Sequence, residues 1–318
     1  MPKLLNIIPV DTKIDFMKRR LVALVLSIVL MLASVASLAV QQLNFGIDFA
    51  GGILVEARMP SEPDMADMRA RLNGLGLGAV SLTHIGENAR DVMIRVQQPA
   101  DTTDEQEGAA LKAIQSVLGD SVDYRRVELV GPKVGSELIE AGIWAVSLSI
   151  LAIVVYIWFR FEWQFAVGAM VALVHDVLVT LGLFSLLRLE FDLTTVAAVL
   201  TLAGYSINDT VVVYDRVREK LRKYKKLDLI ELLNLSLNKT LSRTILTSFT
   251  TLIAVLSLLF LGGDVLRNFS AALAFGIIIG TYSTIYVAVP ILAYFDLRRE
   301  AIAGEEPTEE TPNAEARP

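Results

Sequence analysis

The stretch "AGYSINDTVVVYDRVREK", Ala203 to Lys220, closes an apolar run and sets Asn208 and Asp209 side by side near its end. From Thr194 to Val213 the chain is almost wholly hydrophobic. At a solvated helix end a carboxylate there needs no explanation. Inside a membrane span it does, because a charge at mid-bilayer costs about 2.5–3.5 kcal/mol on insertion scales and so faces a bundle interior, pairs, or does work. The fold turns on whether this run crosses a membrane.

The chain has 318 residues, 53% of them apolar and 20% charged, which is more apolar than the roughly 45–50% of an ordinary soluble domain. A bilayer core of about 30 Å needs about 20 helical residues, and six runs qualify: 21–40, 138–158, 164–187, 193–214, 244–261 and 269–295. The first ends near Ser37-Leu38-Ala39, which loosely fits a cleavage site, but its apolar stretch is longer than a signal-peptide core and predicts an uncleaved anchor. There is no cysteine, so no disulfide can staple an outer domain. The net charge of -6 is a sum over opposed regions. Lys13, Lys18, Arg19 and Arg20 precede the first run, and Arg160 lies between the second and third. The segment 215–240 carries Arg216, Arg218, Lys220, Arg222, Lys223, Lys225 and Lys226. Arg298 and Arg299 follow the sixth run. With six crossings all of these fall on one side, which places both termini in the cytoplasm, with 215–240 a basic cytoplasmic loop. Residues 1–20 form a cytoplasmic N-terminal segment whose apolar half lies along the membrane surface. The acidic, Pro-containing tail 296–318 is expected to be disordered.

The one large hydrophilic block, 41–137, then faces outward. "GILVEARM" alternates with period two, and "DMADMRARLNGLG" is a short helix stopped by glycines. "AVSLTHIG" and "DVMIRVQ" are strands joined through "ENAR", "TDEQEGAALKAIQSVLG" is an amphipathic helix, and "VDYRRVELV" is a last strand. The order βαββαβ is the ferredoxin-like arrangement, so the predicted fold class is an α-helical integral membrane protein of six spans with a small α+β periplasmic domain. The block holds no metal-ligand cluster, phosphate loop or nucleophile–base pair, and no cofactor is expected. His84 stands alone on a strand and reads as a surface residue.

Three spans carry polar stripes at helical spacing. In the third, Gly168, Ala172, His175/Asp176 and Val179/Thr180 share a face; in the fourth, Thr194, Ala198, Thr201, Tyr205 and Asn208/Asp209 do so. In the fifth the stripe is Thr240, Arg243/Thr244, Thr247 and Thr250/Thr251. Gly276 and Gly280 in the sixth form a small-xxx-small pair that permits close helix approach, one candidate for contact with a partner subunit. Arg243 has a bland reading, snorkelling to the interface, and Asn208, Thr247 and the other threonines one as ordinary interhelical hydrogen-bonding groups. His175 and Asp176 are either a proton relay or a structural polar pair. Asp209 lies at the depth where Arg243 would enter from its own helix, and pairing them would cancel the burial cost of both. A proton crossing 100 mV releases about 2.3 kcal/mol, roughly a 50-fold population shift. Those magnitudes suit a proton-coupled conformational cycle and not an enzyme with a chemical transition state.

Six segments taken in order carry a resemblance: "NFGIDFAGG" (Asn44–Gly52), "VGPKVGSEL" (Val130–Leu138), "YIWFRFEWQFAVGAM" (Tyr156–Met170), "LVHDVLVTLGLF" (Leu173–Phe184), "AGYSINDTVVVYDRVRE" (Ala203–Glu219) and "LNKTLSRTILTS" (Leu237–Ser248). Together they resemble the SecF family, the smaller half of the SecD–SecF translocation accessory pair within the resistance-nodulation-division superfamily. The resemblance implies half of a twelve-span assembly in the bacterial inner membrane, association with SecD, the SecYEG channel and YajC, and use of the proton-motive force to promote polypeptide export. It places proton coupling on Asp209 of "SINDT" and Arg243 of "LSRT". The rival readings are a half-size efflux subunit of the same superfamily and a passive scaffold for the channel.

Overall fold

The computed structural model describes residues 12–85, 89–98, 102–119, 121–295 and 297. The surface-lying segment expected before Thr12, half of the "ENAR" connection and all but Leu297 of the tail expected to be disordered lie outside the described residues.

The outer domain is built from β2 (Gly52–Arg58), α3 (Met65–Asn73), β3 (Ala79–His84), β4 (Asp91–Gln97), α4 (Asp104–Leu118) and β5 (Asp123–Val130). Its sheet has the order β3-β4-β2-β5, with every neighbouring pair antiparallel. This is the split βαβ order that the sequence pattern predicts. Asp64 starts α3 by accepting from the Ala66 and Asp67 N–H groups, and a Thr103–Gln106 capping box starts α4. Gly119, at φ 92°, ends α4 in a conformation that costs other residues strain. Ile53, Val55 and Ala57 alternate along β2 into a core with Met68, Leu72, Ile94 and Ile114. The other sheet face carries Leu54, Glu56, Met93, Arg126 and Glu128 and lies over the membrane bundle. His84 is exposed at the end of edge strand β3.

Among the described residues six helices are long and apolar enough to cross a membrane: α1 (Arg20–Gln41), α5 (Pro132–Arg160), α6 (Trp163–Leu186), α7 (Leu193–Lys223), α8 (Leu229–Leu261) and α9 (Asp264–Ser283), the last extended by a broken turn. α6, α7 and α9 form the centre, where apolar side chains meet small ones. A Cβ on Gly276 would fall 2.5 Å from Leu202, and one on Gly280 3.2 Å from Ser206. That small-residue face therefore packs against α7 of the same chain and is not free to receive a partner subunit. α5 and α8 are peripheral and leave Trp144, Trp158, Phe159, Phe249 and Phe260 exposed, the surface a membrane protein offers to lipid or to another membrane chain.

The expected loop 215–240 is mostly helix. α7 runs on to Lys223 and α8 begins at Leu229, because Val217 and Leu221 on one side and Leu232, Leu233 and Leu237 on the other bury against each other and against Phe16 and Met17. Arg222, Lys223, Lys225 and Lys226 are exposed along this extension, whereas Lys220 is buried. The sixth span departs from α geometry at Thr284–Ala288, a π-helical turn before Pro290, whose missing N–H and ring disfavour a regular ladder. Tyr214 on α7 uses the turn by donating to the Ala288 carbonyl at 2.9 Å.

Two short elements join domain to bundle. β1 (Asn44–Phe45) pairs in parallel with β6 (Glu190–Phe191), which lies between α6 and α7, and the single-turn α2 (Ile47–Ala50) packs beside α5.

Candidate functional site: a buried polar core between the spans

Asp209 faces inward from α7 and is 7% exposed. Its Oδ1 accepts from the Thr244 hydroxyl of α8 at 2.8 Å, and its Oδ2 is buried without a hydrogen-bond partner among the described residues. Arg243 does not make the contact that the expected Asp209–Arg243 pairing requires. It is exposed on the outer face of α8, and Thr244 holds the carboxylate in its place. The reason is angular: successive residues on a helix point about 100° apart, so Thr244 and Arg243 cannot both aim at one neighbour. Asn208 and Thr247 are exposed as well, and the Thr247 hydroxyl donates to the Arg243 carbonyl of its own helix.

A second cluster lies one turn away along α7. His175 and Asp176 on α6 are fully buried, with His175 Nδ1 2.9 Å from Asp176 Oδ1. Asp176 Oδ2 accepts from Ser206 on α7 at 2.5 Å and from Ser283 on α9 at 2.7 Å. Two hydroxyl donors from two other helices and the neighbouring imidazole thus surround this carboxylate. His175 Nε2 is buried without a partner among the described residues. Tyr282 stands beside the imidazole, ring centroids 6.1 Å apart, and its hydroxyl donates to the Ala23 carbonyl of α1 at 2.8 Å. Ser206 and Asp209 are three residues apart on α7, about 4.5 Å along the axis, so one helix carries contacts to both acids.

Sequence reading places the acids but not their partners. Ser206 and Ser283 are common residues in apolar helices, and only the crossing of α6, α7 and α9 turns them toward Asp176. The spacing signal that existed was Gly280, three residues before Ser283, marking where α9 comes close enough to α7 for short side chains to reach across.

At the end of the bundle away from the sheet domain Asp215 pairs with Arg160 at 2.8 Å and Glu162 with Arg218 at 3.2 Å, fastening the ends of α5 and α6 to α7. These pairs are partly exposed and belong to the bundle's edge.

The fold and the site define a polytopic membrane protein with a ferredoxin-like outer domain and an acid-bearing fourth span. Residues 110–298 match the family described as protein export membrane protein SecD/SecF, C-terminal, and residues 36–59 match the SecD/SecF GG motif. The chain is 48% identical over 296 residues to the protein translocase subunit SecF of Rickettsia felis, covering 93% of this chain and 96% of that one. It is 46% identical over 296 residues to that of Rickettsia prowazekii, covering 93% and 95%. Among solved structures it is similar to the crystal structure of SecDF, a translocon-associated membrane protein from Thermus thermophilus, at 36% identity and TM-score 0.80. A structure of SecDF in a super-membrane-facing form matches at 35% identity and TM-score 0.66. The match covers 92% of this chain in both cases and 39% and 40% of those longer chains. The chain belongs to the SecF family of protein-export membrane proteins, with the accessory role in Sec translocation that the family carries.

Proposed function

We propose that the chain works with SecD in the bacterial inner membrane, both termini cytoplasmic and the outer domain periplasmic, and that the pair uses the proton-motive force to promote export of polypeptides delivered through SecYEG, with YajC as a further associate. Asp209 and Arg243 are the coupling residues. The observation that carries this reading is the buried, unpartnered Oδ2 of Asp209 next to the helix that bears Arg243. A bare carboxylate oxygen in such a place is satisfied in one of two ways, by a proton or by a guanidinium. The two compete, so proton arrival and departure set the relative position of α7 and α8. Each proton brings about 2.3 kcal/mol per 100 mV, enough to bias two packings. Asn208 on α7 and Thr247, one turn from Arg243 on α8, are the supporting polar residues. His175 and Asp176 act as the structural polar pair, since Asp176 already accepts hydroxyl donors from two other helices and contacts the neighbouring imidazole.

The test is gradient-driven export in vesicles that hold this chain, SecD and SecYEG. Asp209→Asn and Arg243→Ala are each expected to remove the gradient-dependent component, at least about tenfold, with the complex still assembled. Wild-type export in either variant contradicts the reading.

A further inference from the structure

Resting on the proton-coupled reading above, we propose that Arg95 and Glu190, with Asp48, are positioning residues that fasten the outer domain to the outer end of α7, so that domain and helix move as one body. Four separate ties converge on the first turn of α7. The parallel β1–β6 ladder pairs Asn44 with Glu190 and Phe45 with Phe191, and Gly46 N–H adds a bond to the Phe191 carbonyl at 2.9 Å. Asp48 Oδ2 accepts from Leu193 N–H at 3.0 Å while Asp192 accepts from Thr195 N–H at 2.7 Å, so two carboxylates cap one helix start. Arg95, on β4 of the outer sheet, forms an ion pair with Glu190, both side chains about four-fifths shielded from solvent. Phe45, Phe49 and Phe191 pack as an aromatic group, ring centroids 5.9–6.2 Å apart.

The fit leaves no slack. A Cβ on Gly46 would stand 2.9 Å from the Glu190 carboxylate and 3.2 Å from Asp192 Cβ. Leu193 and Asp209 are sixteen residues apart on one unbroken helix, about 24 Å. The ties therefore sit at one end of a rod whose middle carries the coupling acid, and any tilt of α7 appears at the outer domain as a displacement of the sheet.

Glu190 shows why the ion pair matters. Burial pushes its carboxyl above the ordinary range, Arg95 pulls it back, and Asp192 and Asp48 add repulsion. Removing the Arg95 charge takes away the attraction that offsets burial of Glu190, and charge reversal adds a further carboxylate to the repulsion.

The deciding experiment uses the full complex in vesicles with Arg95→Glu, Glu190→Arg and the double exchange. Each single reversal is expected to lower gradient-driven export at least about tenfold while Asp209-dependent proton entry persists, and the double exchange to restore export to within about threefold of wild type. Wild-type export in the single variants, or a double exchange no better than either, overturns the proposal. A second arm uses the absence of native cysteine: Phe45→Cys with Phe191→Cys spans adjacent strands about 4.8 Å apart, within disulfide reach. If domain and helix move together, the oxidised and reduced forms of that variant export equally; loss on oxidation that reduction reverses overturns it. A wild-type complex indifferent to the gradient would instead sink the proton-coupled reading, and the wild-type arm shows that separately.

Discussion

Thr244 donates its hydroxyl to Asp209 at 2.8 Å, and Arg243, the residue before it, is exposed and makes no hydrogen bond or ion pair to the same carboxylate among the described residues. One helix thus offers two alternative partners to one acid, about 100° apart around its axis. A rotation of α8 against α7 by part of that angle exchanges a neutral donor for a cation. That exchange is the physical step on which the proposed coupling rests.

Thr244→Val removes the hydroxyl at nearly constant shape and leaves both oxygens of Asp209 unpartnered. An unsatisfied buried acceptor costs about 1–3 kcal/mol, so export driven by the gradient is expected to fall by about tenfold or more, while Thr244→Ser keeps the donor and stays near wild type. Comparing the two variants in reconstituted vesicles checks the contact without touching either charged residue.

Asp176 ties α6 to α7 and α9 through two hydrogen bonds, from Ser206 and Ser283, and contacts His175 on its own helix. Asp176→Ala strands the Ser206 and Ser283 hydroxyls and the His175 contact at once and is expected to lower resistance of the bundle to denaturant by about 3–5 kcal/mol. Ser206→Ala, which removes one donor, costs about 1 kcal/mol. Unfolding of the purified chain in detergent gives both figures, and equal losses would mean that Asp176 is not the hub.

Gly168 allows Tyr214 to lie across α6, where an added Cβ would stand 2.4 Å from the tyrosine hydroxyl. Overpacking of this kind costs about 1–3 kcal/mol. Gly168→Ala should destabilise the bundle and Tyr214→Phe, by deleting the obstructing oxygen, should recover part of the loss. The signature is non-additivity in the double variant; simple additivity would place the strain elsewhere.

Asp91 in the outer domain is held below the ordinary carboxylate range, chiefly by its hydrogen-bonded pairing with Arg58 at 2.7 Å, with Arg125 assisting and burial opposing. A depressed carboxyl contributes stability above its unfolded value, and that contribution is lost as pH falls through the folded one. Asp91→Asn should therefore weaken protection of the sheet amides at neutral pH, and the gap from wild type should close as pH drops below the ordinary carboxylate range. Hydrogen exchange of β2 and β4 across pH measures it, and a gap independent of pH would contradict the assignment.

How much of this was legible beforehand differs by element. Strands such as β2, with Ile53, Val55 and Ala57 alternating toward the helices, announce themselves by period two, and the spans by sheer apolar length. The acids Asp176 and Asp209 stand out because a charge in such a run is costly. Partners across a helix crossing are invisible in one dimension: Ser206, Ser283 and Thr244 acquire their roles from packing angles, and Arg243 turns outward for the same reason. The β1–β6 pair escapes notice because two residues from each of two distant loops carry no periodicity at all. The helical extension through Lys223 and from Leu229 was hidden by its charges, which dominate composition while Val217, Leu221 and Leu232 do the packing.

The central claim is that Asp209 takes up and gives up a proton in competition with Arg243. Infrared difference spectra of the assembled complex in membranes, recorded between high and low pH, test it most directly. The account predicts a protonated-carboxyl band on acidification that is missing in Asp209→Asn and whose titration midpoint moves in Arg243→Ala. A band unchanged in Asp209→Asn, or a midpoint indifferent to Arg243, would contradict it.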